Sequence, residues 1–338
     1  MLPRFNLLYS YAYMRKGRKP GQATRFEQFV LALSPYVDVL IDSGAFTDYM
    51  AKRKALASGA RHQGITVDEY IAACKQYHGK VWQYIMLDVV QNVDASRQHL
   101  DAMLAAGLRP MPVFVYPEAY DKVAEMVEIN PHICVAGGVD AKRRFAWQRY
   151  QMTYKASGGA ARIHALGFVK HPDMFQLPLA SVDSSSWDTG GRFGSLALYA
   201  PRTGFTSTHW SEVKQEDHRM WLHLQRCNLK PSDLSNRDNH TRNYGIPSLL
   251  KAFAYVQLHR HCYKHGLRFF FAVPSVDWTR QLLCIIATTD TATNSFDYPA
   301  ARAMSIRTNE IEKKDPDAFI EWSIDVLRRK TAWQERLP

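Results

Sequence analysis

The stretch Val39-Leu40-Ile41-Asp42-Ser43-Gly44-Ala45-Phe46 decides the reading of this chain. Val39, Leu40 and Ile41 suit a strand buried on both faces, where an uncompensated polar group costs roughly 2–7 kcal/mol. An aspartate placed where the strand meets its loop escapes that cost and is aimed into the cleft the loops form. Ser181-Val182-Asp183-Ser184-Ser185-Ser186-Trp187 repeats the pattern. In a βα barrel, that edge of the strands is where chemistry sits. Taken alone, Asp-Ser-Gly is equally an ordinary turn or helix N-cap, because aspartate accepts backbone N–H bonds and glycine tolerates positive φ. Repetition at several strand ends favours a site.

Working outward, short apolar runs predict strands at 5–9, 37–41, 82–87, 111–116, 133–136, 163–166, 180–182 and 269–273. Amphipathic stretches at 67–77, 94–106, 118–129 and 172–177 read as helices between them, with further helices at 247–265 and 315–336. Alternation of this kind predicts an α/β fold, and eight strands favour a TIM-like (β/α)8 barrel spanning 1–338 as one domain. From 188 to 245 the pattern breaks at the glycine-rich Asp188-Thr189-Gly190-Gly191-Arg192-Phe193-Gly194, which reads as an insertion after the late strand carrying Asp183. No Gly-x-Gly-x-x-Gly follows the first strand and no P-loop is present, which speaks against a Rossmann or P-loop nucleotide site.

The chain has 338 residues, 46% of them hydrophobic and 22% charged, as expected of a globular protein with a sizeable core. No apolar run reaches the roughly 18–20 residues that span a bilayer. The opening Met1-Leu2-Pro3-Arg4-Phe5-Asn6 lacks the basic-then-apolar layout of a signal peptide, which predicts a cytoplasmic protein without a membrane partner. Five scattered cysteines (Cys74, Cys134, Cys227, Cys262, Cys284) form no Cys-x-x-Cys pair and predict neither a disulfide framework nor a self-evident zinc site. The net charge of +11, spread over Arg15–Lys19, Lys52–Lys54, Lys142-Arg143-Arg144 and 226–242, points to an anionic partner, with nucleic acid the leading one. A generally solvated basic surface is the plainer alternative.

The strand ends collect a consistent set. Asp42 and Asp88 close two strands, Tyr116 and Glu118 follow the next, Gly137 and Gly138 the next, Gly167 another, and Asp183 the last of the series. Carboxylates there suit glycosidic-bond chemistry or a metal-binding acid cluster, and glycines let a flat ligand approach the backbone. His164 and His171 lie near this edge and are either packing residues or members of such a cluster. Trp187 and Tyr116 either stack on a base or fill the core.

Asp42-Ser43-Gly44-Ala45-Phe46 resembles the Asp-Ser-Gly-Gly-Phe signature of the tRNA-guanine transglycosylases. The order that follows is similar too: an aspartate after a Met-Leu strand, Gly137-Gly138 after Val-Ala, Ala165-Leu166-Gly167, then Val182-Asp183-Ser184 and a basic glycine-rich loop. The likeness covers roughly 35–270 and is closest to the phage branch (the DpdA type) that exchanges guanine for a 7-deazaguanine in DNA. It implies Asp183 as nucleophile at C1′ and Asp42 as general acid and base. It further implies Asp88, with Gln91, Ser43, Gly44, Tyr116, Gly137, Gly138 and Gly167, around the base, and Arg192, Lys142, Arg143 and Arg144 on phosphates. The implied partners are DNA, with tRNA as the alternative, and a free 7-deazaguanine base such as preQ0; no cofactor is implied. Family members hold a structural zinc through Cys-x-Cys-x-x-Cys and a later histidine. Here only Cys227 occupies that region, with His209, His218, His223 and His240 around it, so the motif is missing and a nonstandard zinc site is the remaining option. A hydrolase using the same carboxylates with water, and a non-catalytic nucleic-acid-binding barrel, are the competing readings.

Overall fold

The computed structural model describes residues 5–19, 22–115, 118–136, 143–188, 194–213, 217–236, 245–290, 293 and 295–334. Eight strands make one sheet: β1 (Asn6–Ser10), β2 (Asp38–Asp42), β3 (Gln83–Tyr84), β4 (Val113–Phe114), β5 (His132–Ala136), β6 (Arg162–Leu166), β7 (Leu179–Ser184) and, after a further hairpin, β10 (Arg268–Val273). Their order is β3-β2-β1-β10-β7-β6-β5-β4, and β1–β2, β2–β3, β4–β5, β5–β6 and β6–β7 are parallel. All eight coincide with strand positions expected from the sequence, with β3 and β4 shorter. The two end strands meet at a single parallel bridge, Ile85 opposite Met111, where Met111 N–H donates to Tyr84 C=O at 2.9 Å and Met86 N–H to Met111 C=O at 3.0 Å. The sheet therefore curls until its ends touch at one point, without a ladder to close it.

The chain divides into two compact units, the first being Asn6–Ser184 with Ala272–Pro274. Its helices are α1 (Tyr11–Met14), α2 (Arg25–Leu33), α3 (Ala45–Ala57), α4 (Val67–Tyr77), α5 (Val93–Ala105), α6 (Lys122–Ile129) and α7 (Arg143–Ala156). Thr24 and Glu27 form a reciprocal capping box at the start of α2, each side chain taking the other's backbone N–H. Glu27 is fully buried, pairs with Arg18 at 2.8 Å and accepts from the Tyr77 hydroxyl, tying α2 to α4. Helix α3 buries none of its residues, which is why no amphipathic pattern announces it. Between β6 and β7 the helix expected at 172–177 is a single 3₁₀ turn, Asp173–Phe175. Gly167, Pro172 and Pro178 punctuate that connection and leave no run long enough for an α-helix.

The second unit comprises Met1–Phe5, Ser185–Phe271 and Ser275–Pro338. In the region read as an insertion, strands β8 (Ser195–Ala200) and β9 (Gly204–His209) form an antiparallel hairpin, followed by short helices His218–Arg226 and Pro231–Ser235. Helix Ile246–Lys264 packs on the hairpin, with the Phe205 and Tyr255 rings 4.5 Å apart. Helices Val276–Thr288, Tyr298–Lys314 and Pro316–Gln334 complete the unit, and the terminal nitrogens of the buried Arg280 pair with Asp277 and Glu312. Trp187 is fully buried edge-on to Phe271 and Trp278, so it fills the core. Among the described residues no helix is long and apolar enough to cross a membrane.

Removing one partner of a buried ion pair strands the other charge, at about 3–5 kcal/mol. Glu27→Ala, which also opens the capping box, is expected to lower the urea midpoint by a free energy in that range. An unchanged midpoint would show that the Arg18–Glu27 pair contributes nothing net.

Candidate active site

Cross-strand register builds the site. Cys134 on β5 lies opposite His164 on β6, and His164 lies opposite Ser181 on β7, so the three side chains share one face. Asp183, two residues beyond Ser181, returns to that face one step nearer the loops. Across the sheet, Ser10 on β1 pairs with Asp42 on β2. Asp88 follows β3 in the loop ahead of α5.

These three aspartates converge. The buried Cys134 thiol is pushed up first by burial and then by the charges of Asp42, Asp183 and Asp88, so this side chain on β5 lies within electrostatic reach of all three carboxylates. Burial pushes the Asp42 carboxyl up to about 6, Asp183 adds to the rise, and the Gly44 N–H donated to its Oδ2 at 3.0 Å opposes it. Asp88 is pushed up to about 7, again by burial first and then by the Asp42 charge, while Ser43 Oγ stands 3.5 Å from its Oδ1. Asp183 is 8% exposed. Its Oδ1 accepts the Gly167 N–H at 2.8 Å and lies 3.3 Å from His164 Nε2, while His164 Nδ1 meets Ser181 Oγ at 2.8 Å. The arrangement sets two carboxyls that exchange protons near neutrality beside a third that the Gly167 backbone N–H holds.

The backbone around Asp42 explains its Ser-Gly sequel. Gly44 caps α3 with φ +82°, and a Cβ there would lie 2.8 Å from both Ala12 N and Ser10 Oγ, so only glycine fits. Gly167 turns the chain after β6 with φ +64° and aims its N–H at Asp183. Gln91, exposed after β3, holds φ +63°, a conformation uncommon outside glycine and found where function holds a loop under strain. Glu118 is committed to an ion pair with Arg97 at 2.6 Å, and His171 packs edge-on to Phe175.

The structure thus brings Asp42, Ser43, Gly44, Asp88, Gly167 and Asp183 together, with Gln91 at the loop beside Asp88. Tyr116, Gly137, Gly138, Lys142 and Arg192 lie outside the described residues, as does His240. Arg143 and Arg144 open α7, described by its backbone alone at those two positions. Sequence reasoning left His164 as packing or metal ligand and passed over Ser181 and Cys134. Their signal was strand alternation, which places a polar side chain on the face that Asp183 shares. A separate cavity of about 420 Å³, lined by Gln151, Tyr154, Lys155, Phe175 and Pro178 among others, contains no carboxylate.

His223 stacks on Phe253, His209 bonds Ser211, Cys227 is buried, and among the described residues no three His, Cys, Asp or Glu side chains converge on a metal position. Comparison of the sequence with protein-family models and with curated proteins returned no match.

Asp42 and Asp88 bind their protons more tightly folded than unfolded. Their contribution to stability is full below about pH 4 and is lost as pH rises through about 6 and 7. At about 1.4 kcal/mol per pKa unit, Asp88→Asn should stabilise the fold at pH 8 by on the order of 2 kcal/mol or more, with the gain fading toward pH 4. Urea unfolding at the two pH values checks this; a gain equal at both would remove the burial argument.

Proposed function

We propose that the protein is a nucleic-acid guanine transglycosylase of (β/α)8 type, exchanging guanine in DNA for a free 7-deazaguanine base through a covalent aspartyl-sugar intermediate. The observation that carries this reading is the convergence of three aspartates at strand ends, two with raised pKa and one anchored, at the positions where the sequence resembles the transglycosylases.

Asp183 attacks C1′ of the target nucleotide as carboxylate; the Oδ–C1′ bond forms as the C1′–N9 bond to guanine breaks. The electron pair leaves with guanine, and the Asp42 carboxyl, at about 6, supplies the proton. Guanine departs neutral and Asp42 is left as carboxylate. The incoming deazapurine then gives its N9 proton to Asp42, its nitrogen attacks C1′, and Asp183 leaves as carboxylate. One glycosidic bond replaces another, so no energy input is needed. Asp88 in its ionised form accepts from the purine N1–H and exocyclic amine, a pattern that guanine and its 7-deaza analogues share, and these two donors favour that form when the base is bound although the empty site holds its carboxyl up at about 7. The target base reaches these strand-end groups only out of its stack, by flipping or from a single strand. The excess of basic residues in the sequence, among them Arg192 and Lys142-Arg143-Arg144, supplies salt-dependent phosphate contacts.

Purified protein incubated with radiolabelled guanine and either duplex DNA, single-stranded DNA or bulk tRNA is expected to place label in DNA. Asp183→Asn is expected to reduce incorporation to background. Label in tRNA alone would make tRNA the substrate. Abasic product without incorporation would make the protein a hydrolase, and neither product would overturn the proposal.

A further inference from the structure

Asp88 stands on a loop rather than on a strand. Residues 86–92 lie between β3 and α5 without forming a strand or helix, so their peptide groups depend on turns and side chains for partners. Two side chains of α5 supply partners on either side of Asp88. His99 Nδ1 meets the Leu87 carbonyl at 3.0 Å; a carbonyl only accepts, so this nitrogen is the donor. Ser96 Oγ accepts the Val89 N–H at 2.8 Å, and its own proton is directed to the Asn92 carbonyl at 2.7 Å, with the Val89 carbonyl at 3.2 Å. The Asn92 N–H closes a turn onto the Val89 carbonyl at 2.9 Å. One buried hydroxyl therefore touches both ends of the four-residue turn that holds Gln91 at φ +63°. The Asp88 N–H folds back onto the Met86 carbonyl at 3.1 Å.

Resting on the reading above, in which Asp88 recognises the purine, we propose that Ser96 and His99 are positioning residues that fix the peptide units before and after Asp88 and so aim its carboxylate at the base. A serine inside a helix ordinarily bonds the carbonyl four residues back. Ser96 makes that bond to Asn92 and adds one outside the helix, to the residue that follows Asp88. His99, three residues on, shares its face of α5 and reaches the residue that precedes Asp88. A carboxylate that must meet two adjacent donors of a flat base needs a fixed direction. Without the grip from α5, that direction would have to be ordered each time a base binds. The grip acts on base affinity and leaves the C1′ bond changes untouched, so its loss falls on KM rather than on kcat.

The carboxyl titration of Asp88 tests this without any assay of activity. In Ser96→Ala and in His99→Leu the loosened loop admits water to the carboxyl. Its midpoint is then expected to fall from about 7 toward the ordinary value of about 4, while Asp42 stays near 6. His99→Asn, whose amide places a donor where Nδ1 stands, is expected to keep the unsubstituted value. An unmoved Asp88, or equal falls at Asp42 and Asp88, would show that the two side chains only stabilise the fold, and the proposal fails. In exchange assays Ser96→Ala and His99→Leu are expected to raise KM for the free base about three- to tenfold, the range of one hydrogen bond, with kcat per folded molecule little changed. A loss confined to kcat would also overturn the proposal. If the unsubstituted protein exchanges no base, the transglycosylase reading falls, and the titration alone decides whether Ser96 and His99 hold Asp88.

Discussion

Everything in the first unit answers to one constraint, the cost of keeping three carboxyl groups close together where water is scarce. Like charges at short range under protein atoms cannot all be ionised near neutrality, so the protons redistribute. Asp42 and Asp88 are pushed up to about 6 and about 7 by burial and by the neighbouring charges. Asp183 instead accepts the Gly167 backbone N–H, with the His164 ring nitrogen 3.3 Å away. Burial and proximity thus set Asp42 and Asp88 apart from ordinary exposed carboxyls.

The sheet makes that arrangement possible. Parallel strands end on the same edge, so aspartates far apart in sequence arrive together without any loop having to cross the site. The row of Cys134, His164 and Ser181 lies one step below Asp183 and supplies a small, polar floor in an otherwise apolar interior. Glycines appear where a Cβ has no room or where a backbone N–H must turn toward a carboxylate, as at Gly44 and Gly167. The Arg18–Glu27–Tyr77 network ties α2 to α4 beside this sheet with a fully buried carboxylate paired on two sides.

Much of this was legible in the sequence. Apolar runs marked all eight strands because strands buried on both faces carry Val, Ile, Leu and Phe in succession. The aspartates were visible because a charge at the end of such a run has a reason to be there. Helix α3 was not legible, since a helix with no buried side chain leaves no periodic trace. The 3₁₀ turn at Asp173–Phe175 was misread because Met174, Phe175 and Leu177 mimic a helical face over a span too short to form one. The contact of His164 with Ser181 was not legible because one histidine in a strand says nothing about its cross-strand partner; register to Ser181 exists only once β6 and β7 are paired.

The most direct test of the central claim is a carboxyl titration of protein carrying carbon-13 in its aspartate side chains, assigned with Asp42→Asn and Asp88→Asn. The account predicts two aspartates titrating near 6 and 7, with the Asp88 value falling when Asp42 is neutralised. If Asp42 and Asp88 instead titrate independently near the ordinary carboxylate value of about 4, the three groups do not share a buried site. The chemistry drawn from their convergence would then have no basis.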